Sequence, residues 1–263
     1  MTRLAILLFL CIFPSIDAHA GPLPVDPSQF GNFLNLMNQA TVDTFIRTVG
    51  IYADQRPYQP ATPLGLLFGF DAALEVTLMK IPDDFAAAVQ TASGSNIALP
   101  VLPLPRLQVH KGLGDHMDVG LSYIGYQGYV IYGGDVKFVL WNDEETPTWA
   151  MRLCYSHSNV GFLTTTTWTP QLLISRKLDF ADPYIGVGYE MVNGTLTATT
   201  DPVQVAVLQA LGVPSSLSGG GQAFMAFLGV GLRIPRVGLK LTIEGSYSPI
   251  GADTLGTTLG FSF

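Results

Sequence analysis

The chain has 263 residues, of which 48% are hydrophobic and only 13% are charged, and its formal net charge is −7. Soluble domains typically carry about 25% charged residues, and the mean hydropathy of +0.34 is high. The negative balance excludes the basic surface that nucleic-acid binding requires. No nucleic-acid partner is therefore expected.

Residues 1–20 have the three parts of a secretory signal peptide. Arg3 supplies the positive charge, an apolar run follows from Leu4 to Phe13, and Ala18-His19-Ala20 forms a small-x-small cleavage site before Gly21. The apolar run is too short to span a bilayer as a helix. We therefore expect export, with cleavage after Ala20.

Cleavage would remove Cys11 and leave Cys154 as the only cysteine, so neither an intrachain disulfide nor a cysteine metal cluster is expected. The chain has no nucleotide-binding loop and no zinc-ligand spacing. No later stretch is long and apolar enough for a helical membrane span. The sequence thus predicts no cofactor and no metal.

Residues 21–62 form a segment of their own character. Apolar side chains recur there at helical spacing and predict one or two short amphipathic helices: Phe30, Leu34, Met37, Phe45, Ile46 and Val49. Pro57, Pro60 and Pro63 then break the pattern. Two roles are open for this segment, a periplasmic lead-in and a plug that enters a barrel lumen.

Residues 63–263 change to a period of two, which is typical of β-strands with one apolar face. Ten alternating runs can be counted: 64–76, 104–111, 117–123, 130–140, 149–155, 162–176, 185–191, 224–233, 239–247 and 255–263. Long connections, 79–100 and 195–222, follow odd-numbered runs, whereas those after even-numbered runs are short. In the second long connection, Pro202–Leu211 favours a helix and Ser218–Gly221 a flexible tail.

The last ten residues, Thr254–Phe263, alternate apolar side chains with glycine, threonine and serine and end on an aromatic residue. This stretch resembles the C-terminal signature of Gram-negative outer-membrane β-barrels, with Leu259, Phe261 and Phe263 as the membrane-assembly signal. The resemblance implies outer-membrane lipid around the wall and a barrel-assembly machinery that binds this strand. The predicted fold is all-β, a transmembrane antiparallel up-and-down barrel of about ten strands, whose last strand pairs with the first.

Aromatic residues cluster near the predicted strand ends, as in the interfacial girdles of membrane barrels. They are Tyr123, Tyr126, Tyr129, Trp141, Trp149, Tyr155, Phe162, Tyr184 and Tyr247. A soluble exported β-sandwich that binds a ligand is the alternative arrangement for the same residues.

Charged residues of both signs fall on the face of the strands opposite the lipid-facing one. The predicted lumen set is Asp71, Glu75, Arg106, His110, Asp118, Asp135, Lys137, Arg152, Glu190, Arg233, Lys240 and Glu244. A barrel of about eight strands is nearly filled by its own side chains. The set therefore predicts either a packed polar core or a narrow passage whose selectivity these charges determine.

The sequence predicts no catalytic residues. An outer-membrane hydrolase acting at the outer rim is the enzymatic alternative, with His157 beside Ser156 and Ser158, or with Asp83 and Asp84 as acids. Adjacent residues on a strand point to opposite faces, which separates His157 from its neighbours. We expect a non-enzymatic barrel that is either structural or a narrow passage. The sequence does not identify a solute or ligand.

Overall fold

The structure, a computed structural model, describes residues 39–65, 69–87, 101–126, 129–143, 145–197, 214–234 and 237–262. A helix, α1, spans Gln39–Tyr52, and ten antiparallel strands close into a barrel. The strands are β1 (Phe70–Lys80), β2 (Val101–Gly112), β3 (Met117–Tyr126), β4 (Tyr129–Trp141), β5 (Thr148–Asn159), β6 (Leu163–Ser175), β7 (Ala181–Thr197), β8 (Ser216–Ile234), β9 (Leu239–Tyr247) and β10 (Thr254–Ser262). The predicted all-β antiparallel up-and-down barrel of ten strands is confirmed.

The last strand closes the barrel against the first. β1 and β10 pair antiparallel from Asp71↔Ser262 to Met79↔Thr254, with Leu74 opposite Leu259 at the centre. Closure pairs the backbone groups that an open sheet leaves on its edges. The prediction that the C-terminal strand pairs with the first strand is confirmed.

Each strand places alternate side chains inside and outside the barrel, as its sequence alternation dictates. In β5 the outward Trp149, Met151 and Leu153 are exposed, whereas the inward Arg152 and Cys154 are buried. Other outward apolar side chains are more exposed still, with Leu121 at 72% and Leu228 at 67%. The barrel is therefore apolar outside and mainly polar inside.

Two strand starts differ from the sequence prediction by more than five residues. β1 begins at Phe70 rather than Leu64, because the chain turns at Gly65, whose φ of +87° suits glycine. β8 begins at Ser216, so the predicted flexible tail at Ser218–Gly221 is wrong. Gly219, Gly220 and Gly221 pair with β7 instead.

Helix α1 explains this glycine run. A Cβ added at Gly219 would lie 2.3 Å from Asp43 Oδ1, and one at Gly221 would lie 2.7 Å from Arg47 Cδ. Glycine therefore lets the helix approach the strand backbone closely. The predicted helix at Pro202–Leu211 and the signal peptide at residues 1–20 lie outside the described residues.

The helix lies inside the barrel, against β6, β7 and β8. The connections that follow even-numbered strands, including 113–116 and 176–180, share one end of the barrel, here called the short-turn end. The ends of the odd-numbered strands, such as Lys80 of β1 and Thr197 of β7, share the other end of the barrel, here called the long-loop end. Within the described residues, no helix is long and apolar enough to cross a membrane.

Candidate functional site

Helix α1 buries an apolar face against the inside of the wall. Val42, Ile46 and Ile51 are fully buried and form a cluster with Leu163 of β6 and Leu196 of β7. In the sequence of β6, Leu163 and Leu173 fall on the otherwise polar face of the strand. The inward leucines have a reason in the structure, since Leu163 packs against the helix cluster.

Polar contacts hold the first half of α1 at the long-loop end. Gln39 Nε2 donates to the carbonyl oxygen of Ser218 (3.1 Å), and Gly220 N donates to Asp43 Oδ1 (3.1 Å). Arg47 pairs with Asp84, which lies just beyond β1, at 2.9 Å. The helix therefore enters the lumen from the long-loop end.

The helix continues into a segment without regular secondary structure, residues 53–62, here called the plug. All ten of its residues are buried. After it, Leu64 N donates to both carboxylate oxygens of Asp118 at 3.2 Å, close to the short-turn end. The segment thus leads from the end of the helix to the short-turn end of the lumen. The described part of residues 21–62 therefore has its buried segment inside the barrel.

A segment without regular secondary structure leaves most of its carbonyl groups without internal donors, and each buried carbonyl needs a donor. Arg106 of β2 supplies two, from Nη2 to the carbonyl oxygen of Ala53 (3.1 Å) and from Nη1 to that of Asp54 (2.9 Å). Arg106 also donates to Gln55 Oε1 at 3.2 Å. This side chain therefore holds the junction between helix and plug.

Two further cations hold the other end of the plug. Arg152 of β5 donates to the carbonyl oxygen of Gln59 (2.7 Å), and Lys137 of β4 donates to those of Pro60 (3.0 Å) and Thr62 (2.8 Å). Lys137 and Arg152 lie directly opposite each other in the β4–β5 ladder. Like charges in such a position repel, so the plug carbonyls stabilise this pair. A hydrogen bond to a charged group contributes about 1.5–3 kcal/mol.

The side chains of the plug form ion pairs and hydrogen bonds with the wall. Arg56 pairs with Glu190 of β7 at 2.9 Å, and both side chains are buried. Its guanidinium also reaches the hydroxyls of Ser246 (3.3 Å) and Thr254 (3.4 Å). Thr169 Oγ1 donates to Asp54 Oδ2 at 2.8 Å. The plug therefore carries one buried charge of each sign, and each has a polar partner.

Gln55 and Tyr58 hold the plug through two further contacts with the wall, at β4 and at β10. Gln55 donates to Asp135 Oδ1 (3.2 Å), the oxygen that also lies 3.1 Å from His110 Nε2. Tyr58 has a φ of +48°, unusual for a non-glycine residue. A Cβ added at Gly256 would lie 2.0 Å from Cζ of the Tyr58 ring and would clash with it. Gly256 of β10 is thus required by the plug.

The structure places eleven of the twelve predicted lumen residues in buried positions, and Arg233 is partly exposed. It brings together the pairs Lys137–Asp118, Lys240–Asp71 and His110–Asp135. Glu75 accepts from Thr77 Oγ1, and Glu244 accepts from the hydroxyl of Tyr184. Tyr184 is 4% exposed and faces the lumen, so its assignment to an interfacial girdle is wrong. Its partner Glu244 provides the acceptor that a buried tyrosine hydroxyl needs.

Among the described residues, three buried charged residues inside the barrel were missed by the sequence argument. Asp54 and Arg56 belong to the plug, and Asp182 of β7 pairs with Arg233 at 3.0 Å. Asp182 lay in what was predicted to be a turn. The sequence did contain one indication of a filled lumen. Two leucines of β6 point inward, and apolar side chains are unfavourable in a lumen that is filled with water.

The enzymatic alternative finds no assembled site among its candidate residues. Ser156 and Ser158 are buried inside the barrel, whereas His157 lies on the outer wall. There His157 Nδ1 is 3.3 Å from Thr166 Oγ1, and its ring packs against Tyr132 with centroids 5.0 Å apart. Asp84 is engaged by Arg47. Within the described residues, no group of three or more His, Cys, Asp or Glu side chains could hold a metal ion.

The predicted membrane-assembly signal lies on the outward face of β10. Phe261 is 40% exposed and Leu259 is half-buried, while Phe263 lies outside the described residues. Cys154 is a buried thiol of the lumen wall, free within the part of the chain that is described.

Fold and site together define the class of this protein: a closed ten-stranded antiparallel barrel with an apolar outer wall and a plugged polar lumen. No family model matches the chain, and no curated protein matches it.

Solved structures with some likeness are outer-membrane or surface proteins. They include Neisserial surface protein A (7% identity, 74% of this chain and 96% of that chain, TM-score 0.29). Ail, the attachment invasion locus protein of Yersinia pestis, gives 9% identity, 73% and 94% coverage, and a TM-score of 0.28. The outer membrane protein Omp33 of Acinetobacter baumannii gives 6% identity, covers 74% of this chain and 98% of that chain, and has a TM-score of 0.31. At these scores the likeness carries no inference, so the fold rests on this chain's own strand pairing.

The buried pair Arg56–Glu190 should contribute strongly to stability. Glu190→Ala leaves Arg56 as a buried charge without its carboxylate, which typically costs about 3–5 kcal/mol. The matched control is Asp84→Ala, which breaks the partly exposed pair with Arg47 and should cost less than about 1 kcal/mol. Denaturant unfolding in detergent measures both. Equal losses in the two variants would contradict a buried, plug-holding role for Glu190.

Proposed function

We propose that this chain is a non-enzymatic integral outer-membrane barrel that its own N-terminal segment keeps closed. The observation that carries the proposal is that ten consecutive plug residues, 53–62, are all buried inside the barrel. A ten-stranded lumen is narrow, and a chain that traverses it leaves little room for a solute. The closed, structural role is therefore favoured over an open passage.

The outer wall supports the membrane location. Large apolar side chains are exposed around the barrel, among them Leu121, Leu153, Ile185 and Leu228. Soluble monomers rarely expose contiguous apolar patches larger than a few hundred Å², whereas a membrane barrel presents an apolar band about 25 Å tall to lipid. This also disfavours the soluble β-sandwich, whose apolar faces would be packed inside.

The route to the membrane is part of the proposal. Residues 1–20 would be cleaved as a signal peptide, and the barrel-assembly machinery would bind β10 through Leu259, Phe261 and Phe263. The first residue of β1 and the last residue of β10 lie at the short-turn end. Since periplasmic turns are the short ones in such barrels, this end would face the periplasm and the long loops the exterior.

Planar-bilayer recording tests the closed lumen. The wild-type protein should show no steady conductance steps, because the plug blocks the water path. The variant Arg56→Ser/Tyr58→Ser, which removes two of the side chains that hold the plug, should show flickering openings. The control Arg47→Ser, near the long-loop end, should stay closed. A steady conductance in the wild-type protein would overturn the proposal.

Deletion of Phe263 tests the assembly route. Because the terminal aromatic residue belongs to the proposed assembly signal, the truncated protein should be depleted from the outer-membrane fraction. The matched control is Phe224→Ser, which removes an outward phenylalanine of β8 instead. The amount of heat-modifiable protein on SDS gels measures assembly. Normal membrane levels of the truncated protein would argue against recognition through Phe263.

A further inference from the structure

The wall of the barrel is taller on the side of β7 and β8. These two strands pair over the whole of β7, from Ala181 to Thr197, whereas β9 pairs with β8 only as far as Ala226. A tilted strand crosses a bilayer with about 9–11 residues, and Phe224–Ile234 of β8 already supply that length. The β7–β8 ladder therefore extends beyond the apolar band at the long-loop end.

The outward face of this extension is polar but carries no charge. No outward residue of β6, β7 or β8 is charged, although about 25–35% of a well-solvated surface is typically charged. The outward residues at the long-loop end include several with hydroxyl or amide groups: Thr164, Thr166, Asn193, Thr195, Ser218 and Gln222. A phosphate ligand would need cations on this face, so its chemistry favours an uncharged ligand rich in hydroxyl groups.

A groove of about 280 Å³ lies on this face, between β7 and β8. Neighbouring residues of the two strands line it: Met191, Val192, Asn193, Gly221 and Gln222. Gly220 lies opposite Asn193 in the ladder, and a Cβ added to it would lie 2.2 Å from the carbonyl oxygen of Val192. Glycine at position 220 therefore keeps the space between Asn193 and Gln222 open.

The side chains of the groove offer hydrogen-bonding groups that are not otherwise used. The hydroxyl of Tyr189 donates to Gln222 Oε1. Among the described residues, neither the Nε2 group of Gln222 nor the side-chain amide of Asn193 has a partner. Both side chains are exposed, so two amide groups are available to a ligand.

The free edge of β8 adds backbone groups at the same place. On the side away from β7, side chains bond three backbone groups of even-numbered residues: the carbonyl oxygen of Ser218, the N–H of Gly220 and the carbonyl oxygen of Phe224. Alternate residues of a strand direct their backbone groups to the same side. The N–H and C=O of Gln222 therefore point to this edge as well, and within the described part of the chain nothing bonds them.

Below the groove, the outward side chains change from polar to aromatic and then to aliphatic. Tyr189 and Phe224 come next toward the short-turn end, followed by Val187 and Leu228, and all four are exposed. A ligand that is hydrophilic in the groove and apolar below it matches this order. Since a glycolipid carries sugar hydroxyl groups above hydrocarbon chains, the column favours a membrane-anchored sugar over a soluble one.

We propose that this groove binds an uncharged sugar ring of a glycolipid in the outer leaflet. The proposal rests on the membrane location and orientation proposed above. The sugar hydroxyls bond to the amides of Asn193 and Gln222 and to the backbone of Gln222, while the ring packs against Met191. The hydrocarbon chains of the glycolipid follow Tyr189 and Phe224 along the wall.

Quenching of Trp168 by brominated lipids tests the site. Trp168 lies opposite Met191 in the β6–β7 ladder, and a Trp141→Phe/Trp149→Phe background makes it the only tryptophan. The full-length protein is reconstituted in phosphatidylcholine vesicles that contain either dibrominated phosphatidylcholine or digalactosyl diacylglycerol with the same brominated chains. At equal mole fraction, the glycolipid should quench Trp168 more strongly.

Variants of the groove show whether its amides cause this preference. Asn193→Ala/Gln222→Ala should weaken the preference for the glycolipid about tenfold, because two neutral hydrogen bonds are lost. The matched control Thr164→Ala/Thr197→Ala removes two outward hydroxyl groups at the same end but outside the groove, and it should keep the preference. Heat-modifiability shows that each barrel is folded.

The possible failures can be told apart. Equal quenching by the two brominated lipids would overturn the sugar site. A preference that persists in Asn193→Ala/Gln222→Ala would mean that the glycolipid gathers elsewhere on the wall, which also overturns it. If neither lipid quenches Trp168, the outer wall does not face lipid, and the membrane location is rejected together with the site.

Discussion

The whole structure depends on satisfying backbone hydrogen-bonding groups where water is scarce. β10 pairs with β1, and without this pairing the barrel would leave two edges unpaired in the proposed membrane location. The plug, which has no partner strand, receives its donors from the cationic side chains Arg106, Lys137 and Arg152. These are two solutions to one constraint.

The plug also explains how the lumen tolerates its own charge. Lys137 and Arg152 face each other across the β4–β5 ladder, and an empty lumen would leave their repulsion to water alone. Plug carbonyls, together with Asp118, lie beside these cations. Conversely, Arg56 enters the lumen only because Glu190 is there to pair with it. Wall and plug are therefore complementary in charge, so removing a charge from one should destabilise the partner group on the other.

Much of this fold could be predicted from the sequence because alternate residues of each strand face the lumen and the outside, which gives the sequence a period of two. The strand count, the β1–β10 pairing and the inward face followed from alternation. The plug path could not be predicted, since residues such as Arg56 and Tyr58 have no periodicity and depend on contacts with distant strands. The start of β8 was missed for a related reason. Glycines such as Gly219 favour a loop locally, but here they make room for α1.

The central claim is that the plug lies in the lumen in this register, and one disulfide tests it. A Cβ added at Gly133 of β4 would lie 3.1 Å from the Cβ of Gln55, and disulfide-linked Cβ atoms are about 3.5–4.5 Å apart. In a Cys154→Ala background, Gln55→Cys/Gly133→Cys should therefore form a disulfide during assembly, seen as faster migration of the unfolded, unreduced protein. Placing the second cysteine at the outward Tyr132 should give none. Two free thiols at positions 55 and 133 of the folded barrel would contradict the account.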